Sequence, residues 1–389
     1  MRILFYAPIE VFRRPAGSGI YVRELLHTLL NVDTHNCYII WHGCMMKRPL
    51  DTQDVLIPDL ARGRVKVSIT PFPTRLFHDR KLRLLLLRLN RLPIGDVLFG
   101  SPDIYFSPFY PLLPHLRGSL VLTIFDLTPL THPHCHIPST IDVTRMTMLW
   151  AKRATRLLTF SNTVKEQLAS WFGFPREKVV VTPLAPAKHF KPQPKERVER
   201  ILRKYGLPEQ FIIYVGVIEP RKNLTTLLRA FAALKGSLPH KLVFAGDVGW
   251  YGESVLNEII SLGLQEHVIR VGYVPDEDLP ALICGAEALV YPSLAEGYGL
   301  PVIEAMACGT PVICSSAPAL PEIAEGAALM VSPHDVYGWA KAIMQLLTDS
   351  DLRHELSQKG LERASQFSWE QTAKLTLSAF EEAAMEANS

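Results

Sequence analysis

Residues 296–313, EGYGLPVIEAMACGTPVI, set two carboxylates, Glu296 and Glu304, among three glycines and two prolines in an otherwise apolar run. Acids beside an apolar helix are costly to bury unless they are paired or hold a ligand. Three readings fit such a pair: a catalytic acid pair, two ligand-holding groups, or the solvated edge of an ordinary helix. Pro301 stands where an N1 proline belongs and Gly309 where a C′ glycine ends a helix. The helix is therefore expected over Pro301–Ala307, with Glu296 in the loop before it. Glu304 is expected in the first turn, where the helix dipole favours a carboxylate.

A second constellation is Glu219-Pro220-Arg221-Lys222-Asn223, between an expected strand and a helix that opens at Leu224. Ligands of open α/β sheets bind beyond the carboxyl ends of strands. Two adjacent cations at a helix start oppose its dipole, unless an anion such as a diphosphate sits there; the alternative is two solvated cations. Gly17-Ser18-Gly19 also lies between strand and helix, but position 22 is Val, so no full GxGxxG is present. A phosphate-approach loop and a plain tight turn both fit it. Asp276-Glu277-Asp278 contains a DxD, but it precedes a helix start, where Asp276 or Asp278 as a cap is the simpler reading. His132-Pro133-His134-Cys135-His136 has spacing that fits no standard zinc site and is read as a polar loop. His78–Leu92, HDRKLRLLLLRLNRL, interleaves cations with leucines. It could rest on anionic lipid as a peripheral helix or be a buried amphipathic helix with a basic face.

These groups need a scaffold. Short apolar runs alternate with amphipathic stretches in two series. In the first, Arg2–Ala7 reads as a strand and Tyr21–Asn31 as a helix. Cys37–Trp41, Val65–Ile69, Ile104–Phe106 and Leu120–Phe125 are further strands. In the second, Phe211–Gly216, Lys241–Ala245, Val268–Gly272, Ala288–Tyr291 and Val312–Ser315 are strands. Helices over Leu224–Leu234, Ser254–Leu262 and Asp278–Cys284 alternate with them. Such alternation means parallel sheets covered on both faces. With 389 residues, two Rossmann-like α/β domains are expected. The proline-rich segment Pro183–Arg200 reads as the linker. The last amphipathic helix spans Trp369–Glu386.

Composition narrows the class. Hydrophobic residues make up 48% and charged residues 20%, which fits a soluble globular chain. No apolar run reaches the ~20 residues of a bilayer span. MRILFYAPIEVF reads as a buried strand rather than a leader, and six cysteines without CxxC spacing fit a reducing cytoplasm. Residues 1–190 hold 24 Lys and Arg against 13 Asp and Glu, whereas residues 191–389 hold 17 against 25. The basic half suits an anionic partner such as phosphate or a membrane surface, or only solubility.

Taken in order, these stretches resemble retaining glycosyltransferases of family four, which have the GT-B fold. The pair Glu296 and Glu304 looks like that family's glutamate signature. YVGVIEPRKNLTTLLRAF (214–231) resembles its phosphate-binding segment, GSGIYVRELLHTL (17–29) its N-terminal glycine loop and TIFDLTPLTHP (123–133) a stretch often written with His before Asp. LTFSNTVKEQL (158–168) and LPEIAEGAALMVSP (320–333) also match. The likeness covers essentially the whole chain, nearest to bacterial enzymes of surface-polysaccharide assembly, many using GDP-mannose.

The resemblance implies two Rossmann-like domains whose parallel sheets face a central cleft. Residues 1–190, completed by the helix 370–389, would form the acceptor domain and 191–369 the nucleotide-sugar domain. Glu296 would bind the donor sugar's hydroxyls, with Gly297 to Leu300 offering N–H groups, and Glu304 the ribose. Arg221 and Lys222 would hold the diphosphate, Gly17, Ser18 and Gly19 would approach it, Val274 would lie near the base, and Asp126 would face sugar or acceptor. Phe125 departs from the usual His, and Tyr298 from the commoner Phe. No obligatory metal is implied. The partners implied are a nucleotide sugar, with GDP-mannose the donor the resemblance favours, and a glycan or lipid-linked acceptor, with no nucleic acid. A UDP- or ADP-hexose transferase and a non-catalytic nucleotide-sugar-binding protein are alternatives. A glycoside hydrolase using Glu296 and Glu304 would leave Arg221 and Lys222 unexplained.

Overall fold

The computed structural model describes residues 1–7, 17–43, 63–70, 85, 88–89, 92–108, 114–115 and 117–387. The chain divides into two compact units. Unit 1 comprises residues 1–130, 138–184 and 369–389, and unit 2 comprises 131–137 and 185–368.

Unit 1 is built on seven parallel strands. They are β1 (Arg2–Tyr6), β2 (Cys37–Gly43), β3 (Val65–Thr70), β4 (Ile104–Ser107), β5 (Ser119–Thr123), β6 (Arg156–Thr159) and β7 (Val179–Val181), in the spatial order β3-β2-β1-β4-β5-β6-β7. The order reverses between β1 and β4. The strands expected from sequence are present. β6 and β7 were not expected, because four- and three-residue runs are too short to show a period. The helix Trp369–Ala387 returns to unit 1. The Ser119 hydroxyl donates to the Ala383 carbonyl at 2.6 Å, and Phe380 lies 5.1 Å from Phe106.

Unit 2 carries six parallel strands. They are β8 (Phe211–Val215), β9 (Lys241–Ala245), β10 (Val268–Gly272), β11 (Ala288–Tyr291), β12 (Val312–Ser315) and β13 (Leu329–Val331), ordered β10-β9-β8-β11-β12-β13. Every residue of β8, β11 and β12 is buried. This is what a parallel sheet covered on both faces requires, and it explains why FIIYV, ALVY and VICS read as continuous apolar runs. β8 and β11 are neighbours, with Ile212 opposite Ala288 and Ile213 opposite Leu289. The strand order reverses between them, so the segments after Val215 and Tyr291 emerge side by side at the switch point, the ordinary ligand-binding place of such sheets.

Three expectations change. The segment Pro183–Arg200 is not all linker: a helix, Lys195–Lys204, begins inside it and packs Ile201 and Leu202 inward, with Leu202 against Gly285 of the helix Leu279–Gly285. The helix Leu300–Ala307 begins at Leu300 rather than Pro301, so Glu304 is its fifth residue and lies past the first turn. The chain crosses between units at Leu184–Ala185 rather than 190/191, and the loop Thr131–Ile137 belongs to unit 2. Most of 78–92 lies outside the described residues, so neither reading of that stretch is addressed. Among the described residues, no helix is long and apolar enough to cross a membrane.

Candidate active site

Two loops at the switch point of unit 2 build the site. The first follows β8, where a single 3₁₀ turn, Pro220–Lys222, carries Arg221 and Lys222. It ends on Asn223, a non-glycine residue at φ 55°, ψ 34°. Asparagine tolerates this left-handed conformation better than most side chains. The Asn223 amide donates to the carbonyls of Pro292 (3.1 Å) and Pro333 (2.6 Å), so one side chain fastens three loops. The second loop follows β11, and the Leu294 N–H donates to the Arg221 carbonyl at 2.9 Å.

This clasp brings together Glu296, Arg221 and Lys222, three residues the sequence singles out. Lys222 Nζ lies 2.7 Å from Glu296 Oε1, and Arg221 Nη1 2.8 Å from Glu296 Oε2. Arg221 Nη2 lies 2.8 Å from Glu219 Oε1, and Nη1 also donates to the Ala295 carbonyl at 2.9 Å. Lys222 Nζ donates a further bond to the Tyr291 hydroxyl at 2.7 Å. All four charged side chains are largely withdrawn from solvent. Two acids and two bases make the cluster neutral in charge, which is how buried charges are tolerated.

The electrostatics follow from this packing. Burial pushes the Glu296 carboxyl upward, but the cations Arg221 and Lys222 outweigh it and hold its pKa down at about 2. Burial and the adjacent Arg221 lower the Lys222 ammonium, while Glu296 opposes them. Glu304 is the contrast. Burial, with the Asp276 charge in support, raises its pKa well above the ordinary carboxylate range. Its Oε1 is buried and accepts no hydrogen bond among the described residues. A buried acceptor left open is costly unless a ligand supplies the donor. The dipole argument does not apply to it, since it lies beyond the first turn.

The loop between the two glutamates is tightly specified. Gly299 sits at φ 112°, and a Cβ there would come within 2.5 Å of Leu320 Cδ2, so only glycine fits. Tyr298 is buried and meets Phe367 edge-on at 6.4 Å. Val274, after β10, is also buried. Asp278 stands at the helix start expected for it, yet its carboxylate makes no cap bond. It accepts instead from Lys204 Nζ at 2.5 Å and the Tyr205 hydroxyl at 3.0 Å. The loop with three histidines is fastened by Trp250 Nε1 donating to the Cys135 carbonyl at 2.8 Å. Among the described residues, no group of three or more metal-ligating side chains occurs.

Unit 1 holds the remaining expected residues. Gly17, at φ 51°, precedes the helix Ser18–Val32, and Gly19 is buried in its first turn. Asp126 Oδ1 accepts from the Thr128 N–H at 2.8 Å and the Thr128 hydroxyl at 2.6 Å, and so turns the chain into the short helix Thr128–Thr131. Phe125 is packed edge-on against Tyr21 (5.5 Å) and Phe160 (5.2 Å). The position is thus filled by an aromatic cluster where relatives' histidine was expected.

Sequence reasoning did not select Glu219, Asn223, Tyr291 or Asp276 for the site. Glu219 and Asn223 flank the Arg-Lys pair in the quoted motif, so adjacency was an available signal. Tyr291 reads as one more apolar strand residue, and only the strand pairing shows its hydroxyl at Lys222.

Residues 198–363 match the family described as Glycosyl transferases group 1. The chain is 36% identical over 311 residues to the O-antigen chain mannosyltransferase B of Escherichia coli, covering 79% of this chain and 78% of that protein. It is 30% identical to the O-antigen chain mannosyltransferase RfbU of Salmonella typhimurium over 64% of this chain and 66% of that one. Among solved structures, sucrose-phosphate synthase from Thermosynechococcus elongatus superposes with a TM-score of 0.76 over 100% of both chains at 21% identity, a likeness of fold. The fold is GT-B, and the chain belongs to the group 1 glycosyltransferases.

Proposed function

We propose that this glycosyltransferase moves mannose from GDP-mannose, with retention of configuration, onto a glycan or lipid-linked acceptor in polysaccharide assembly. The observation that carries the reading is the pairing of Arg221 and Lys222 with Glu296, beside a buried Glu304 oxygen that lacks a donor. The names of the two relatives in the preceding section supply mannose and O-antigen.

On this reading Glu296 has two jobs. It neutralises two buried cations in the free protein, and it accepts hydroxyls of the donor sugar. Arg221 and Lys222 then face the diphosphate, where negative charge grows as the anomeric C–O bond breaks. Fixed cations aimed at developing charge are the largest expected contribution to the rate. Glu304 Oε1 takes a ribose hydroxyl, which supplies its missing hydrogen bond. Val274 lies by the base, and the loop Gly297 to Leu300 offers N–H groups to sugar and phosphate. In unit 1, Gly17, Ser18 and Gly19 at a helix start form a phosphate-approach loop, and Asp126 is the polar group offered to an acceptor. Unit 1 carries the acceptor and unit 2 the donor. No metal is required by this arrangement of cations.

A thermal-shift panel of GDP, UDP and ADP with their sugar conjugates tests the reading. Selective binding raises the unfolding temperature by mass action, with ~2.7 kcal/mol of stabilisation at a hundredfold excess over Kd. GDP and GDP-mannose are expected to stabilise most. A response to UDP- or ADP-sugars alone replaces the donor, and no response to any nucleotide sinks the reading.

A further inference from the structure

Tyr291 closes β11 directly beside the candidate site. It is 1% exposed, and its ring stacks on Tyr214 at 6.2 Å with an interplanar angle of 21°. Lys222 Nζ lies 4.9 Å from the centre of the Tyr291 ring and donates to its hydroxyl at 2.7 Å. An ammonium has three N–H donors and no acceptor. One goes to Tyr291 and one to Glu296, at 2.7 Å each, which leaves one for a ligand.

The two partners differ in what they impose. Glu296 attracts the ammonium from any direction, whereas a hydroxyl acceptor on a rigid, stacked ring fixes where the nitrogen stands. A lysine side chain is otherwise free to turn about four rotatable bonds. A neutral acceptor also holds the cation without cancelling its charge. We propose that Tyr291 is a positioning residue for sugar transfer: its hydroxyl sets the Lys222 ammonium so that its remaining N–H meets the diphosphate of a nucleotide ligand. This role rests on the donor reading of the same site.

The groups facing Lys222 are Arg221 and Glu219 on its own turn, Glu296 from the loop after β11, and the buried phenol of Tyr291, whose hydroxyl also hydrogen-bonds Glu296. Removing the Tyr291 hydroxyl withdraws a bond made to the charged form of Lys222. The ammonium then loses its proton at lower pH.

Tyr291→Phe keeps the ring and its stack, and removes the acceptor of Lys222 together with the hydroxyl's hydrogen bond to Glu296; the Lys222→Met background separates the two. The test is calorimetric titration of the full chain with GDP, UDP and ADP from about pH 6 to about pH 10, a span that brackets a lowered lysine. The same titrations are made on Lys222→Met and on the double variant. Tyr291→Phe is expected to bind the responding nucleotide about tenfold more weakly, the scale of one charged hydrogen bond. Its affinity should fall away at lower pH than the wild type's, and its unfolding temperature at neutral pH should drop modestly, because a buried ammonium has lost an acceptor. In the Lys222→Met background the same change should have no further effect, because Tyr291 acts through Lys222. An unmoved pH course, or an equal loss without Lys222, overturns the assignment. A wild-type chain that binds none of the three nucleotides overturns the donor reading itself.

Discussion

Lys222 Nζ and Glu296 Oε1 lie 2.7 Å apart although 74 positions separate them in the chain. The contact exists because β8 and β11 are adjacent in unit 2, and it makes one motif the counter-ion of the other. Glu296→Gln leaves Arg221 and Lys222 buried against Glu219 alone. Breaking a buried pair from one side costs about 3–5 kcal/mol, a loss that urea unfolding should register. Transfer should slow at least tenfold. Wild-type stability with full activity would remove Glu296 from the site.

The same residue predicts an acid response. The folded pKa of Glu296, about 2, lies below its ordinary 4.5. Its stabilisation is therefore complete above pH 4.5 and lost as pH falls toward 2. Unfolding temperatures followed through that window should drop more steeply in the wild type than in Glu296→Gln. Parallel curves would mean that the carboxylate is not held by its cations.

Glu304→Ala is expected to weaken nucleoside diphosphate binding by about threefold to tenfold, the range of one lost hydrogen bond to a carboxyl that burial keeps protonated. Titration calorimetry reads this directly, and unchanged affinity removes the ribose role. The raised pKa adds a sign. A buried Glu whose folded pKa exceeds its ordinary value contributes most at low pH, and that contribution fades as pH rises through the folded value. Glu304→Gln, which cannot ionise, should therefore gain stability over the wild type as pH increases.

Gly299→Ala tests the loop. At φ 112°, with Leu320 Cδ2 2.5 Å from the added carbon, both backbone and packing must give. A loss of about 1–3 kcal/mol is expected from the backbone strain, together with weaker nucleotide binding. Normal stability and binding would show that the loop adapts.

Phe125→His restores the side chain expected from relatives but spoils edge-on contacts with Tyr21 and Phe160. Each such pair is worth about 0.5–1.5 kcal/mol beyond its buried area. The variant should unfold earlier with no faster transfer. A gain in turnover would show that the histidine's task is vacant here.

The candidate site is legible in the sequence where local rules act alone. Glycine and proline at fixed offsets marked the loop and helix around Glu296, and continuous apolar runs marked β8, β11 and β12. What stayed hidden depends on neighbours far along the chain. Tyr291 looks like core until its hydroxyl is seen at Lys222. Glu304 looked dipole-stabilised, because a one-residue change in the helix start moved it out of the first turn. Asp278 looked like a cap, but Lys204 from a helix inside the expected linker claimed its carboxylate. β7 and β13, three residues each, are too short to carry a pattern.

The helix Trp369–Ala387 belongs to unit 1, yet the whole of 185–368 is synthesised before it. Unit 2 is almost contiguous in the chain, needing from outside only Thr131–Ile137, already made. Unit 1 must wait for Ser119 and Phe106 to meet Ala383 and Phe380. Domains fold as units during synthesis, so here the later-made unit is complete first. The earlier one spends most of translation with an uncovered sheet face, the interval in which a holding chaperone would matter most.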